Sequence, residues 1–177
     1  MSDRILQSFL QMQHEQGKTL EAESDILRLQ AVDGPPAQRY LARLAAKGLV
    51  KNKEGQIVEA EGCVLGIWLP DDYLRRAEPA QVLTYLGPHP HPWHPNIMPP
   101  FICVHLRPGT PLVDLLYACF EIWTWRLYNT GDEGLNHGAS QWARAQDPSR
   151  WPVDRRPLKR RRLAITVSPV QPPATEM

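Results

Sequence analysis

The stretch from Gly87 to Leu106 reads GPHPHPWHPNIMPPFICVHL, and six of its residues are proline. Proline has no amide hydrogen and clashes inside a helix, so the part up to Pro100 can form neither a regular helix nor a central strand. Loops of this length are uncommon inside a compact domain and are usually functional. We therefore expect a structured loop, followed by a short apolar segment that carries Cys103.

The sequence before this loop predicts one helix and several strands. Apolar residues at helical spacing predict a first helix that Ser2 caps and that ends near Gly17. Many β-branched and aromatic residues predict strands at 63–69 and 82–86. Residues 24–32 fit a strand or a helix. Residues 39–50 favour a helix by propensity alone, because Ala, Leu and Arg are good helix formers.

The sequence after the loop predicts two helices. Thr110 is expected to cap the first, with Pro111 at its first helical position. An apolar stripe predicts that this helix packs on the core; it comprises Leu112, Leu115, Leu116, Cys119 and Trp123. A shorter helix is expected from Asn136 to Ala145. This order of elements indicates an α+β fold, with helices segregated from an antiparallel sheet.

Composition limits the class of protein. The chain has 177 residues, which predicts one domain, and its apolar and charged fractions are ordinary. Its three cysteines are far apart and form no CxxC pair, which argues against a disulfide framework or a zinc ribbon and favours a reducing cytoplasm. We expect no signal peptide, and no apolar run approaches the ~20 residues that span a bilayer.

The charge of the chain is concentrated near its C-terminus. From Arg144 onward there are eight Lys or Arg against three Asp or Glu, and six of the cations lie within Arg155–Arg162. We expect this run to be a solvated tail, so the domain is predicted to span 1–160, with a flexible basic and proline-rich tail at 161–177. Nucleic acid is not an expected partner, because the positive charge does not cover a face of the domain.

The segment His94-Pro95-Asn96-Ile97, followed by Ile102-Cys103-Val104, resembles the HPN motif and catalytic-cysteine segment of ubiquitin-conjugating enzymes. The resemblance covers residues 1–160 and is to the divergent bacterial branch of the family. It implies the family fold, with an N-terminal helix, an antiparallel four-stranded sheet that includes residues 39–50, and C-terminal helices. The chain departs from the common pattern in its Asn96-to-Cys103 spacing, which is one residue shorter, and in having His105 where Asp is frequent.

The resemblance implies a role for each candidate site residue. Cys103 would accept a ubiquitin-like modifier as a thioester and pass it to an amine or hydroxyl. Asn96 would donate its amide to the oxyanion or brace the loop. The remaining residues would shape the loop or assist proton transfer: His94 and Pro95 as loop architecture, His105 as a nearby base, and Asp132 and Glu133 as acids that orient an incoming lysine.

The resemblance also implies the partners of the protein. These are a ubiquitin-like modifier, an activating enzyme, a protein substrate and a deubiquitinating-type peptidase from the same operon, as in bacterial antiphage defence. The chain itself would need no cofactor, because the activating enzyme would use the ATP. Two alternatives stay open: a catalytically idle binding module of the same fold, or a protein that binds metal or nucleic acid. The second would use the basic tail and the histidines His89, His91, His94 and His105, but their spacing lacks paired-ligand geometry, so we expect no metal site.

Overall fold

The computed structural model describes residues 3–89, 91–131 and 134–160 and has an α+β fold. The helices are α1 (Arg4–Ala22), α2 (Pro79–Val82), α3 (Leu112–Trp123) and α4 (His137–Arg144), with a 3-10 turn at Pro148–Arg150. The strands are β1 (Leu27–Ala31), β2 (Arg39–Leu44), β3 (Gly48–Lys51), β4 (Ile57–Ala60), β5 (Cys63–Trp68), β6 (Leu83–Gly87), β7 (Ile97–Met98) and β8 (Phe101–Ile102). None of the described helices combines the length and the apolarity that crossing a bilayer requires.

The main sheet is antiparallel, with strand order β1-β2-β5-β6. One row of cross-strand pairs runs over all four strands, and each of its residues is buried: Leu29, Ala42, Leu65 and Tyr85. Because side chains alternate between the two faces of a strand, this register creates one apolar face, which α1 and α3 cover. Two small hairpins, β3-β4 and β7-β8, lie outside this sheet.

The first helix differs from its prediction at both ends. Ser2 lies outside the described residues, and Asp3 is the cap, accepting hydrogen bonds from the amides of Ile5 and Leu6. The helix continues past Gly17 to Ala22. Gly17 is buried in close contact with β1 and α3, where a Cβ would lie 2.8 Å from a methyl of Leu29, so this glycine permits close packing instead of ending the helix.

Residues 39–50 form no helix, so the helix that propensity favours is wrong. The strand expected there is confirmed for 39–44, which lies in the main sheet, whereas 48–50 belongs to a separate hairpin. The segment supplies β2 and most of β3, with a turn between them. Tyr40, Ala42 and Leu44 are buried, alternating with more exposed residues. Burial of this alternating face outweighs the few tenths of a kcal/mol per residue by which propensity favours a helix.

Helix α3 buries the predicted stripe but is not capped by Thr110. The Thr110 hydroxyl instead bonds to the backbone of Arg107, and Pro111 occupies the cap position without a side-chain hydrogen bond. The amide of Leu112 donates to the buried side-chain oxygen of Gln13 at 2.7 Å. The start of α3 is therefore satisfied by a residue of α1, a long-range contact that local sequence patterns do not reveal.

The segment 155–160 is held against the rest of the domain, so this part of the basic run is not a free tail, although its Arg and Lys side chains are exposed as expected. Buried Asp154 accepts a hydrogen bond from the backbone amide of Lys47 and pairs with Arg156 at 2.6 Å. These bonds outweigh the cost of burial and lower the pKa of Asp154 to about 2. Further along, Lys159 pairs with Glu23, and Arg160 donates to the last carbonyls of α1. Residues 161–177 lie outside the described residues.

Candidate functional site

The β7-β8 hairpin fixes the position of Cys103. Ile97 pairs with Ile102 across the hairpin, and both side chains are buried, which anchors the hairpin to the core. Cys103 follows β8 directly, and its amide donates a 2.7 Å hydrogen bond to the carbonyl of Asn96. The tripeptide His94-Pro95-Asn96 and the cysteine are thus brought together by the backbone of the hairpin itself.

The thiol of Cys103 lies on the exposed side of an extended segment. Cys103 and His105 are exposed, whereas Val104 and Leu106, which alternate with them, are half-buried and pack against the core. A period of two places alternate side chains on the same side of an extended chain. Cys103 and His105 therefore share the outward side, where a partner can reach the sulfur.

The carboxamide of Asn96 links the cysteine to the loop after α3. Its Nδ2 donates to the carbonyl of Cys103 at 3.1 Å, and its Oδ1 accepts from the amide of Asn129 at 2.9 Å. These two bonds brace the loop, which is one of the two roles expected for Asn96. The amide group carries a second hydrogen, so bracing leaves one donor for an oxyanion.

His94 is a buried residue that forms a hydrogen bond with the backbone of Asn96. Its ring is 1 % exposed, and its Nδ1 accepts a 3.0 Å hydrogen bond from the amide of Asn96. Burial lowers the pKa of His94 to about 3, opposed by a weaker contribution from the backbone of Leu127. The imidazole is therefore neutral at physiological pH, with its Nδ1 lone pair committed to holding the turn.

An aromatic cluster encloses His94, and no local sequence pattern predicts it. Its centre is Trp125, which is fully buried, has a φ of 64° and lies 4.6 Å from the His94 ring centroid. Trp151 stacks on Trp125 at 4.2 Å. The other members are Trp93, Tyr128 and Trp142. These residues come from four separate segments without periodic spacing, so only the high tryptophan content signals them.

The loop after α3 meets the proline loop through backbone contacts. The carbonyl of Pro95 accepts a hydrogen bond from the amide of Asn136. Within the loop after α3, the side chain of Asn129 accepts a hydrogen bond from the amide of Gly131. Gly134 is needed for close packing, because a Cβ there would lie 2.5 Å from the hydroxyl of Ser140. The two acids predicted in this loop, Asp132 and Glu133, lie outside the described residues.

The other two cysteines are in the core. Cys63 is on β5 and Cys119 is on α3, and both are buried. Burial raises the pKa of Cys63 well above its ordinary value and that of Cys119 to about 12. Both are therefore protonated and inaccessible at neutral pH, which leaves Cys103 as the accessible thiol.

The histidines of the proline loop do not converge. His89, His91 and His105 are exposed, whereas His94 is enclosed by the aromatic cluster. Among residues 3–89, 91–131 and 134–160, no group of three or more His, Cys, Asp or Glu side chains is arranged to hold a metal ion. No protein-family model matches this chain, and no curated protein matches it either. Its function is therefore inferred from the arrangement around Cys103.

Proposed function

We propose that this chain carries a ubiquitin-like modifier as a thioester on Cys103 and transfers it to an amine or hydroxyl of a protein substrate. The observation that carries the proposal is the exposed Cys103 bonded through its own backbone to the side chain of Asn96. The order of elements in the α+β fold is consistent with a ubiquitin-conjugating-enzyme-like domain. A free reactive thiol requires a reducing compartment, so we place the protein in the cytoplasm.

The reaction consists of two acyl transfers. The Cys103 thiolate attacks the thioester carbonyl on an activating enzyme, a new carbon–sulfur bond forms, and the thiolate of the activating enzyme leaves. An acceptor amine then attacks the same carbonyl and loses a proton, and the Cys103 thiolate leaves. His105 lies on the outward side with Cys103 and is the described side chain that we assign to accept that proton.

Asn96 serves the second transfer in two ways. Its bonds to the backbones of Cys103 and Asn129 keep the cysteine backbone in one position. Its remaining amide hydrogen is available to the oxyanion that forms when the acceptor attacks. Loss of one such donor typically lowers the rate by about a hundredfold or more.

The test is formation and discharge of the adduct. The full chain is incubated with ATP, a ubiquitin-like modifier and an activating enzyme that charges this modifier, and thiol-reducible adducts are detected by mass spectrometry. We expect an adduct on the natural chain and none on Cys103→Ala. Asn96→Ala should still form the adduct but discharge it to free lysine about a hundredfold more slowly.

A matched control is Asn52→Ala, which changes an asparagine in the β3-β4 turn. This variant should form and discharge the adduct at the natural rate. Absence of any adduct, with an activating enzyme that demonstrably forms its own thioester, would show that the proposal is wrong.

The alternative is a catalytically idle binding module of the same fold, and one observation favours it. Both ends of the Asn96 carboxamide are engaged within the loop, as a purely structural asparagine would be. An idle module predicts that modifier binding persists in Cys103→Ala and that no adduct forms on the natural chain. The same incubation therefore separates the two functions.

A further inference from the structure

A cleft of about 560 Å³ lies between the C-terminal end of α3 and the segment 155–159. Its lining includes Tyr117, Phe120, Arg126, Arg155, Leu158 and Lys159. None of these residues takes part in the Cys103 site. Tyr117 presents a partly exposed ring beside three cations, and Phe120 and Leu158 lie buried behind them.

Arg126 is a fixed cation in this cleft. Its Nη1 donates to the hydroxyl of Thr124 at 2.8 Å, and its Nη2 donates to the carbonyl of Arg156 at 3.0 Å. The guanidinium lies 4.7 Å from the centroid of the Phe120 ring. A guanidinium has five N–H groups, so these two bonds leave donors for a ligand. Its orientation is set before any ligand arrives.

Ion pairs among the described residues neutralise the positive charge of the cleft only in part. Across the described ranges, neither Arg126 nor Arg155 has a carboxylate within ion-pair distance, whereas Lys159 pairs with Glu23 at 2.6 Å. Glu121 is the acid in the lining and opposes anion binding, but Arg126 and Arg155 outnumber it even when Lys159 is counted as paired. Burial lowers the pKa of Arg126, although Asp154 and Glu121 act in the opposite direction. An anionic ligand would stabilise this partly desolvated charge.

We propose that this cleft binds the phosphate group of a small phosphate ester. Arg126 and Arg155 hold the phosphate oxygens, because guanidinium groups match their geometry and remain charged. A bare phosphate ion would leave most of the cleft empty, so the organic part of the ligand packs on the partly exposed ring of Tyr117. The cleft shares no residue with the Cys103 site, and the proposal does not depend on the thiol chemistry.

Isothermal titration calorimetry of the full chain tests the site with AMP, adenosine and inorganic phosphate. We expect AMP to bind most tightly, inorganic phosphate more weakly, and adenosine without measurable heat. Binding of AMP should weaken as salt is added, because the contacts are between charges.

Arg155→Gln should weaken AMP binding by about tenfold, as expected for loss of one charge-assisted contact. The matched control, Arg75→Gln, changes an exposed arginine of the 71–76 loop and should bind AMP like the natural chain.

The proposal is overturned if AMP gives no heat at millimolar concentration, or if adenosine binds as tightly as AMP. Equal AMP affinity of Arg155→Gln and the natural chain also overturns it. A glutamate-rich peptide that binds more tightly than AMP would assign the cleft to an acidic protein partner instead. Arg126→Gln removes contacts that hold the chain together, whereas the side chain of Arg155 has none within the described ranges, so the Arg155 variant remains informative even if the other fails to fold.

Discussion

The core beneath the sheet and the aromatic cluster around Trp125 are built in different ways. The core consists mainly of aliphatic side chains from α1, α3 and the four strands of the main sheet. The cluster consists of aromatic rings around a residue with positive φ, and two of its buried indole nitrogens have no hydrogen-bond partner in the described part of the chain: Trp93 Nε1 and Trp125 Nε1. A buried polar group without a partner is typically destabilising by about 1–3 kcal/mol.

The cluster lies beneath the candidate site, which gives a reason for this less favourable construction. Trp125 packs on His94, His94 accepts from the amide of Asn96, and Asn96 donates to the carbonyl of Cys103. Natural proteins depart from ideal packing and polar satisfaction mainly at functional sites. The core therefore provides stability, and the cluster positions the residues that present the thiol.

The largest expected difference between the two regions is in thiol reactivity. Iodoacetamide should alkylate Cys103 in the native protein, whereas Cys63 and Cys119 should react only after the core opens. For a domain of ordinary stability, such opening slows the reaction by roughly a thousandfold or more. Peptide mass spectrometry after timed labelling measures the three rates. Native labelling of Cys63 at a rate similar to that of Cys103 would contradict the proposed core.

The next largest effect is loss of a core aromatic residue. Trp123 is buried, and its indole donates to the carbonyl of Ala46 at 2.7 Å. Trp123→Ala should lower the free energy of unfolding by about 4 kcal/mol, since it removes both the packing and the hydrogen bond. Trp68→Ala, at a half-buried ring beneath Arg39, is the control and should lower it by about 1 kcal/mol. Guanidinium denaturation followed by circular dichroism measures both; a smaller loss for Trp123→Ala than for Trp68→Ala would contradict this assignment.

The cluster should make stability depend on pH below neutrality. The pKa of His94 is lowered to about 3 in the folded protein, against about 6.5 when unfolded. The unfolded chain therefore binds an extra proton between these values. Above pH 6.5, His94 is neutral in both states and does not affect the free energy of unfolding. As the pH decreases from 6.5 towards 3, the free energy of unfolding falls by up to about 1.4 kcal/mol per pH unit.

The control for this pH dependence is His94→Asn, because asparagine offers an acceptor near the position of Nδ1 but does not titrate in this range. Urea denaturation of both proteins at pH 7, 6 and 5 measures the slope. If His94 is buried as proposed, the free energy of unfolding should depend less steeply on pH in the variant. Identical pH dependence in the two proteins would assign the acid sensitivity to other groups.

The core was predictable from sequence to a much greater extent than the cluster. The α3 stripe and the strand at β5 follow from periodicity and β propensity, which are local properties. The cluster brings together Trp93, Trp125 and Trp151, whose separations follow no period. The motif around Asn96 and Cys103 pointed to the candidate site, but its support by a buried neutral His94 depends on long-range packing. The cap supplied to α3 by Gln13 was missed for the same reason.

The smallest expected effect tests the link between the cluster and the thiol. Asn96→Ala removes the acceptor of the Asn129 amide and the donor to the Cys103 carbonyl. Because these bonds are partly exposed to water, the free energy of unfolding should fall by only about 1 kcal/mol. Native-state hydrogen exchange should accelerate far more at the Asn129 amide, which loses its acceptor, than at Leu65 in the centre of the sheet. Leu65 exchanges through global unfolding, so a loss of about 1 kcal/mol accelerates it by only about fivefold. Equal acceleration at both amides would mean that Asn96 stabilises the whole domain, and unchanged exchange at Asn129 would mean that the carboxamide does not brace the loop.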